Sequence, residues 1–398
     1  IEEDEKIVFE SQETLSEGVY ELYLEFNAEI TNDLKGFYKS SYMSEDGEKK
    51  WIATTQFEPT AARSAFPCWD EPEYKAIFSM TIITDEKYLR VSNEMVVEEE
   101  KVENNKLRTK FADSMKMSSY LVAFVIGDLE ATVVGKSKTT DIRIIHRPGF
   151  SHQTSYAGTA AVKLLDFFED YYKIPYPGTK LDLIAIPDFA MGAMENVGAV
   201  TFRENLLLFD KDKATRSELD RSITVIAHEL AHMWFGDLVT MKWWDGIWLN
   251  EAFASLMEVI ASYNTYPEFK QWNAMNMSRT AGFSIDSLEN SRPVEFDVET
   301  PDQAEEMFDV LTYEKGSTVL RMFQMFIGEE AFQNGVEAYL NKFKFENTNS
   351  SDLWDALSEA SNQPLNKILP FWIREKGYPF LQVDCSNNFL TISCEILC

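Results

Sequence analysis

The stretch HELAHMWFGDLVTMKWWDGIWLNEA, residues 228–252, contains two histidines four positions apart and a glutamate further along. Positions i and i+4 of a helix lie on one face, about one turn apart, so His228 and His232 can both reach one metal ion. Catalytic zinc needs a third protein ligand and an open position. Glu251, at the start of a second helical pattern, is the best candidate for that ligand.

An isolated H-E-x-x-H pattern also occurs on ordinary helices, so the rest of the chain must support the site. The chain has four histidines, and two of them lie in this stretch. The Trp-rich segment MKWWDGIW would connect the two predicted helices and let the second pack against the first. His146 and His152 lack such a pattern, and we interpret them as structural or surface residues. The stretch therefore predicts a zinc site.

The chemistry expected of such a site is hydrolysis of an amide. Zinc polarises a carbonyl group and brings the pKa of water close to neutrality. Glu229 follows the first histidine, where it can accept the proton of the attacking water and pass it to the leaving nitrogen. The oxyanion needs a further donor beside the metal. This pattern leaves endopeptidase and exopeptidase activity both open.

Composition excludes some classes of partner. The formal net charge of −29 disfavours nucleic acid and anionic membranes, because phosphate contacts require clustered Lys and Arg. No run approaches the roughly 20 apolar residues of a membrane helix. The first residues, IEEDEKIVFE, have neither the basic nor the apolar region of a signal peptide. Three of the four cysteines crowd the last residues (Cys68 is apart from Cys385, Cys394 and Cys398), which favours a reducing compartment. We therefore expect a cytoplasmic protein.

A length of 398 residues predicts two or three domains. Alternation in VYELYLEF (19–26) and KAIFSMTIIT (75–84), with the apolar run SSYLVAFVIGDL (118–129), predicts an antiparallel β domain over residues 1–135. Helical spacing then dominates residues 136–380, interrupted by a buried strand at 180–189.

Within that second region, the helix RSELDRSITVIAHELAHMWF is predicted to begin with Ser217 as its cap, followed by Asp220. Residues 381–398 return to strand alternation around an Asn387-Asn388 turn and predict the start of a truncated β-sandwich domain. The fold class predicted is therefore multidomain α+β.

Four separated motifs carry a resemblance to a known family: TTQFEPTAARSAFPCWDEP (54–72), GAMENVGAVTFRE (192–204), residues 228–255 and LTYEKGSTVLRM (311–322). In order and spacing, the chain resembles the zinc aminopeptidases typified by aminopeptidase N, puromycin-sensitive aminopeptidase and leukotriene A4 hydrolase, from about residue 15 to 380. The resemblance implies a thermolysin-like catalytic domain with one Zn²⁺ per chain. It also implies a monomer that acts on peptides with a free N-terminus.

The resemblance also implies roles for residues of the other motifs. Glu195 of GAMEN would bind the free α-amine, Glu58 would add a second carboxylate, and Gln56 would make a polar contact. Two carboxylates around a protonated amine would set the register so that only the first peptide bond reaches the zinc. Gly192 and Ala193 would form an edge strand that pairs with the substrate, and Met194 would border the pocket. The hydroxyl of Tyr313 would bind the oxyanion, and Glu258 would lie beside a zinc-bound histidine.

The chain departs from the family pattern in WWDGIWLNEAFA, where relatives commonly read W-W-N-D-L-W-L-N-E-G-F-A. Asp245 and Gly246 replace the usual Asn-Asp, and Ala252 replaces the usual Gly. The connecting loop is therefore expected to differ in shape. Family members also continue into a β-sandwich and a large helical domain that covers the site, so a more open pocket is expected here.

Two other readings stay open at this point. A non-catalytic scaffold could retain the fold, although His228, Glu229, His232, Glu251 and Tyr313 are all present. A hydrolase with a non-peptide substrate is a third reading, and no residue pattern points to it.

Overall fold

The computed structural model describes residues 6–210, 212–386 and 389–397. The first part of the chain forms two antiparallel sheets. Its strands are β1 (Gly36–Met43), β2 (Lys49–Gln56), β3 (Thr81–Asp85), β4 (Leu89–Ser92), β5 (Val96–Val102), β6 (Lys106–Phe111) and β7 (Phe124–Gly127). One sheet has the order β1-β2-β7-β4 and the other the order β3-β6-β5. The alternation of β1 buries Tyr38 and Tyr42 on one face, as a half-buried strand requires.

A five-stranded mixed sheet follows. It contains β8 (Glu130–Ser137), β9 (Thr140–His146), β10 (Leu181–Ile186), β11 (Ala193–Met194) and β12 (Ala199–Arg203), in the order β11-β12-β10-β9-β8. Strand β10 is parallel to both β9 and β12, and all of its residues are buried. This is why its sequence, LDLIAI, is almost continuously apolar. The short strand β11 lies at the edge of the sheet.

Helices form most of the remaining structure. They are α1 (Ser155–Tyr172), α2 (Arg216–His232), α3 (Trp248–Thr265), α4 (Gln271–Asp286), α5 (Pro301–Glu306), α6 (Gly316–Ile327), α7 (Glu329–Phe343), α8 (Ser350–Ser361) and α9 (Leu365–Arg374). A π-helical turn, Leu311–Lys315, leads directly into α6. Two strand pairs complete the fold: β13 (Thr240–Met241) with β14 (Asn347–Thr348), and β15 (Tyr378–Ser386) with β16 (Phe389–Leu397).

Helices α2 and α3 pack side by side because the Trp-rich link between them is buried. The side chains of Trp234, Trp244 and Trp248 are almost fully buried. The rings of Phe235 and Phe253 stack with their centroids 3.7 Å apart. At the point of departure from the family motif, a 3-10 turn, Trp244–Gly246, runs straight into α3. The link therefore folds the second helix back onto the first, as predicted.

The multidomain α+β class is confirmed, with β structure first, helices after it and strands at the end. The boundaries at residues 135 and 380 stay predictions. The predicted turn at Asn387-Asn388 lies outside the described residues, although β15 and β16 on either side of it pair antiparallel. No helix of the described ranges is both long and apolar enough to cross a membrane.

Two local predictions are wrong. Helix α2 begins one residue before Ser217, and its cap is Thr215. The Thr215 hydroxyl accepts a hydrogen bond from the Glu218 amide at 3.2 Å, and the Glu218 carboxylate accepts one from the Thr215 amide at 2.7 Å. This reciprocal capping box satisfies two free amides, which Ser217 inside the first turn cannot do. Residues 19–26 form no strand, since no neighbouring strand pairs with them, and Tyr20, Leu22 and Phe26 are exposed.

The other two β segments are shorter than predicted. Of residues 75–84, only the end belongs to β3, and Ala76 makes a single bridge to Met117. Of residues 118–129, only β7 is a strand, and a 3-10 turn over Ser119–Leu121 precedes it. The apolar run is buried as expected, but burial alone does not distinguish a turn from a strand.

Candidate metal centre and substrate pocket

His228, His232 and Glu251 meet in space as predicted. The two histidines occupy successive turns of α2, and Glu251 projects from the first turn of α3. Glu251 Oε2 lies 3.2 Å from His228 Nε2 and 3.5 Å from His232 Nε2. One ligand atom from each residue lies within 4.8 Å of the others. The packing of α2 against α3 is what brings the third donor to the first two.

Each of the two histidines is held in orientation by a hydrogen bond at its Nδ1 nitrogen. Nδ1 of His228 is 2.9 Å from Oε2 of Glu258, and Nδ1 of His232 is 2.9 Å from the carbonyl oxygen of Phe235. With Nδ1 as the donor, each Nε2 would be available to ligate a metal ion on the side that faces Glu251. Glu258 therefore stands where the sequence suggested a partner for a metal-bound histidine.

Charge at the centre is dominated by carboxylates. Burial opposes the charge on His228, but bonds to Glu251 and Glu258 outweigh it and raise its pKa well above the ordinary value. Burial likewise opposes charge on His232, yet the neighbouring Glu195 and Glu251 raise its pKa to about 10. For Glu251, the cost of burial is exceeded by the effect of the two histidines, and its pKa falls.

Glu58 and Glu195 lie beside this group. A carboxylate oxygen from each, together with one from Glu251, falls within 4.8 Å. Oε1 of Glu58 and Oε1 of Glu195 are buried and have no hydrogen-bond partner. Burial raises the pKa of Glu58, and the Glu195 carboxylate adds to that increase. Burial also raises the pKa of Glu195. Two buried acceptors without a hydrogen-bond donor therefore face one space, and Oε1 of Glu195 also lies 3.7 Å from His232 Nδ1.

Glu229 and Tyr313 complete the ring of polar groups. Glu229 is 5% exposed, and burial raises its pKa to about 8, against the opposing effect of His228. Tyr313 belongs to the π-helical turn, a feature found often at functional sites. Its ring lies nearly parallel to the His228 ring, with centroids 6.0 Å apart. Burial and the Glu251 and Glu58 carboxylates raise the pKa of Tyr313, so the phenol keeps its proton.

A pocket of about 350 Å³ contains nearly all of the predicted site residues. It is lined by His228, Glu229, His232, Glu251, Tyr313, Gln56, Glu58, Ala193, Met194 and Glu195. Gln56 donates from Nε2 to the sulfur of Met194 at 3.4 Å, and its Oε1 is buried without a partner. Gly192 does not line the pocket, and its carbonyl accepts from the Arg203 amide at 3.0 Å. Its predicted contact with a substrate backbone stays a prediction.

Further lining residues escaped the sequence analysis: Asp33, Leu34, Lys35, Pro59, Ala190, Met191, Glu305 and Phe308. Most of them lie in turns or on the short helix α5, where no periodic pattern identifies them. The remaining histidines lie elsewhere. His146 is buried in β9 and bonded to Thr132 at 2.8 Å, whereas His152 is exposed and stacked on Phe150.

A larger groove of about 950 Å³ lies between α4, α6 and the C-terminal strands. It contains none of the predicted site residues, and its lining is mostly apolar, with Trp272, Phe283 and Trp372 among the side chains. Volume alone would favour this groove as the functional site. The concentration of buried carboxylates and imidazoles favours the smaller pocket instead.

The donor set of the smaller pocket fits a zinc ion. Two imidazole nitrogens and one carboxylate oxygen are the ligands of many catalytic zinc sites, which leave a further position open. The carboxylates of Glu58, Glu195, Glu229 and Glu251 line the same pocket as the two histidines. A divalent cation would supply the positive charge that this arrangement lacks.

The fold and the site together describe an α+β protein with a buried centre of two histidines and a glutamate. The chain matches two family models, described as the Peptidase family M1 domain over residues 156–372 and the Peptidase M1 N-terminal domain over residues 1–121. This chain belongs to peptidase family M1, and the resemblance seen in the four motifs is confirmed.

Known proteins similar to this chain carry related names. It is 42% identical over 391 residues to Aminopeptidase M1 of Arabidopsis thaliana (98% of this chain, 44% of that protein). It is 42% identical over 385 residues to Puromycin-sensitive aminopeptidase of Caenorhabditis elegans (95% and 41%). It is 41% identical over 389 residues to Glutamyl aminopeptidase of Bos taurus (96% and 41%). The chain thus spans less than half the length of these curated relatives.

Proposed function

We propose that this chain carries the site of a zinc-dependent aminopeptidase, which hydrolyses the first peptide bond of peptides with a free N-terminus. The observation that carries the proposal is the pair of buried carboxylate oxygens of Glu58 and Glu195 that accept no hydrogen bond, next to the donor set of His228, His232 and Glu251. Buried charge needs a partner, and a protonated amine would satisfy both carboxylates. The names of the relatives support the same activity.

Binding of the amine would fix which bond is cut. Glu58 comes from the end of β2, and Glu195 follows β11. With the α-amine held between their carboxylates, the first carbonyl of the substrate would lie against the metal donors, so the first peptide bond would be the one cut. The edge strand β11 could pair with the substrate backbone and add to the alignment.

The chemical steps would fall to the other residues of the pocket. Zinc held by His228, His232 and Glu251 would polarise the scissile carbonyl and acidify water. Glu229 would accept a proton from the attacking water and return it to the leaving amine. The phenol of Tyr313, protonated because of its raised pKa, would donate to the oxygen that gains negative charge. Glu258 and the Phe235 carbonyl would keep the imidazoles in orientation.

The test compares leucine p-nitroanilide with its N-acetylated form, alongside measurement of zinc per chain. We expect turnover of the free amine only, about one zinc per chain, loss of turnover with a chelator and recovery with zinc. The variant Glu195→Gln should raise KM for the free amine and leave the zinc content unchanged, because Glu195 is not one of the three proposed ligands.

Other outcomes would separate the alternatives. Equal cleavage of the acetylated substrate would contradict the exopeptidase proposal and leave an endopeptidase. A protein that holds zinc and turns over no aminoacyl amide would favour the non-catalytic scaffold. The exposed variant Glu359→Gln, on α8 away from the pocket, serves as the control for a charge change of the same kind.

A further inference from the structure

The pocket has a second charged region apart from the buried carboxylates. It consists of Asp33, Leu34, Lys35, Glu305 and Phe308, which we call the outer wall. The three charged residues of the outer wall are exposed, whereas Glu195 and Glu251 deeper in the pocket are buried. A substrate whose α-amine lies between Glu58 and Glu195 would present its N-terminal side chain to other parts of the pocket wall. The chemistry of the outer wall therefore bears on which side chain is accepted.

One half of the outer wall is a fixed turn before β1. Thr31 donates from its amide to the Phe37 carbonyl at 3.1 Å and accepts from the Lys39 amide at 2.9 Å, which closes the turn. Leu34 inside it has a φ of 57°, an unfavourable left-handed conformation for a residue with a branched side chain. A backbone held in this way gives Lys35 a defined place at the pocket.

The conformation of Gly36, at the end of the turn, reinforces this restraint. Its φ is +70°, and a Cβ there would lie 2.4 Å from Ser64 Oγ. The positive φ and the close approach to Ser64 both favour glycine here, and they place the turn against the short helix that contains Ser64.

The other half of the outer wall is the short helix α5. Thr300 and Gln303 form a capping box at its start, and Pro301 occupies its first turn. Ala304 and Met307 are buried and anchor the helix to the core. Glu305 lies between these two anchors and points outward, so its carboxylate also has a defined position.

The two halves are joined by an ion pair between Lys35 Nζ and Glu305 Oε1, from residues 270 positions apart in the chain. Asp33 adds a second carboxylate to the outer wall, so acidic groups exceed basic ones there. Gln56, which is 6% exposed, contributes a buried Oε1 acceptor without a partner to the same pocket. The pocket therefore offers acceptors and negative charge, and Lys35, the one lysine among the described residues that line it, already binds one of the carboxylates.

We propose that the outer wall selects substrates whose N-terminal residue is arginine or lysine. The cation of that side chain would take the position beside Glu305 that the Lys35 ammonium occupies in this structure. This inference rests on the proposed aminopeptidase activity. A basic side chain would pass along the apolar groups of Leu34 and Phe308 and place its charge between Glu305 and Asp33. An acidic side chain would meet the carboxylates of Glu305 and Asp33 and be disfavoured, because the Lys35 ammonium is already paired with Glu305.

The experiment measures kcat/KM of the zinc-loaded protein for the p-nitroanilides of arginine, lysine, leucine and glutamate. The wild type should prefer the basic substrates and be poorest with glutamate. In Glu305→Gln, the ratio of arginine to leucine should fall by about fivefold, the effect of one partly exposed charge contact. In Lys35→Met, which removes the competing ammonium and keeps the length of the side chain, the same ratio should rise by about fivefold.

Matched controls come from neighbouring positions. Glu306→Gln makes the same change on the same helix at an exposed residue outside the pocket lining. Lys39→Met makes the lysine change at a partly buried position of β1, also outside the lining. Both should leave the ratio unchanged. A ratio unmoved by Glu305→Gln and Lys35→Met, or a wild type that prefers glutamate, overturns the inference while the proposed activity stands. Absence of turnover on all four substrates overturns both.

Discussion

At the scale of single residues, glutamate side chains occupy several different environments around His228. Glu251 is paired with two histidines, and its pKa is lowered, whereas Glu258 bonds to Nδ1 of His228 from behind. Glu229 is buried, and its raised pKa has the burial of the carboxyl group as its main cause. Environment therefore separates a proposed ligand, an orienting group and a proposed base, although all three are glutamates.

Glu229→Gln tests this separation. The amide keeps the shape of the side chain but cannot accept the proton, so kcat should fall by about a hundredfold to ten-thousandfold. The zinc content should stay at the wild-type level, because the proposed ligands are His228, His232 and Glu251. Steady-state kinetics and metal analysis check both parts. Turnover close to the wild-type value would remove Glu229 from the mechanism, and loss of zinc would make it a ligand instead.

At the scale of elements, helical periodicity predicted the strongly amphipathic helices, and the i, i+4 spacing of His228 and His232 predicted their meeting with one ion. The same reasoning gave no signal for the π-helical turn, Leu311–Lys315, which places Tyr313 in the pocket. A strand needs a partner, and alternation in residues 19–26 does not report whether one exists. The periodicity of apolar residues therefore predicts the helices and strands that bury one face, and it misses structure that depends on contact with a neighbouring segment.

The meeting of distant residues was less accessible to sequence reasoning. The positions of Glu58 and Glu195 beside the metal donors followed from the resemblance to a family, since no spacing rule connects two different domains. The ion pair of Lys35 with Glu305 had no signal of any kind, because it depends on the packing of a turn against a short helix.

The contact between α3 and α6 is tight enough to be tested by one methyl group. A Cβ added at Gly316, where the π-helical turn passes into α6, would lie 2.5 Å from the Cβ of Ala252. Gly316→Ala should therefore reduce the free energy of unfolding by about 1–3 kcal/mol, as overpacking does. It should also lower turnover, because Tyr313 and Glu251 lie next to the two contacting residues. Urea unfolding and kinetics measure the two effects.

A control and a rescue sharpen this test. Gly282→Ala adds a methyl group within α4, where the nearest atom outside the helix is 3.7 Å away, and should be neutral or slightly stabilising. The double variant Ala252→Gly with Gly316→Ala removes the clashing methyl group and should recover stability. If Gly316→Ala is as stable as Gly282→Ala, the tight contact does not control this part of the fold.

At the scale of the whole molecule, the proposed site belongs to neither half of the chain alone. Gln56 and Glu58 come from the N-terminal sheets, and the zinc donors come from the helical part. The loop that carries Glu195 is held by both. Lys180 donates to the carbonyls of Ser92 and Gly198, each at 2.6 Å, and pairs with the buried Asp182 at 2.8 Å. These contacts hold the end of β4 against the start of β10 and against Gly198, which lies between Glu195 and β12.

Asn93, which directly follows β4, is the central residue of this junction. Its side-chain amide donates to the carbonyls of Leu121 and Val197, each at 2.8 Å, and its Oδ1 accepts from the Ala123 amide at 2.9 Å. All three bonds are buried, and Val197 lies two residues beyond Glu195. The bond from Asn93 to Val197 therefore couples the N-terminal sheets to the carboxylate proposed to bind the amine.

Asn93→Ala should leave three buried polar groups without partners and reduce the free energy of unfolding by about 2–4 kcal/mol. Because the loop after β11 loses a tether, KM for leucine p-nitroanilide should rise more than kcat falls, while the zinc content stays constant. Urea unfolding, steady-state kinetics and metal analysis measure these effects. Asn341→Ala is the matched control. It removes two exposed bonds, one to the Glu337 carbonyl on α7 and one from Lys344 Nζ, and should change neither stability nor KM. An Asn93→Ala protein with lowered stability and an unchanged KM would limit the junction to holding the two halves together, with no part in positioning Glu195.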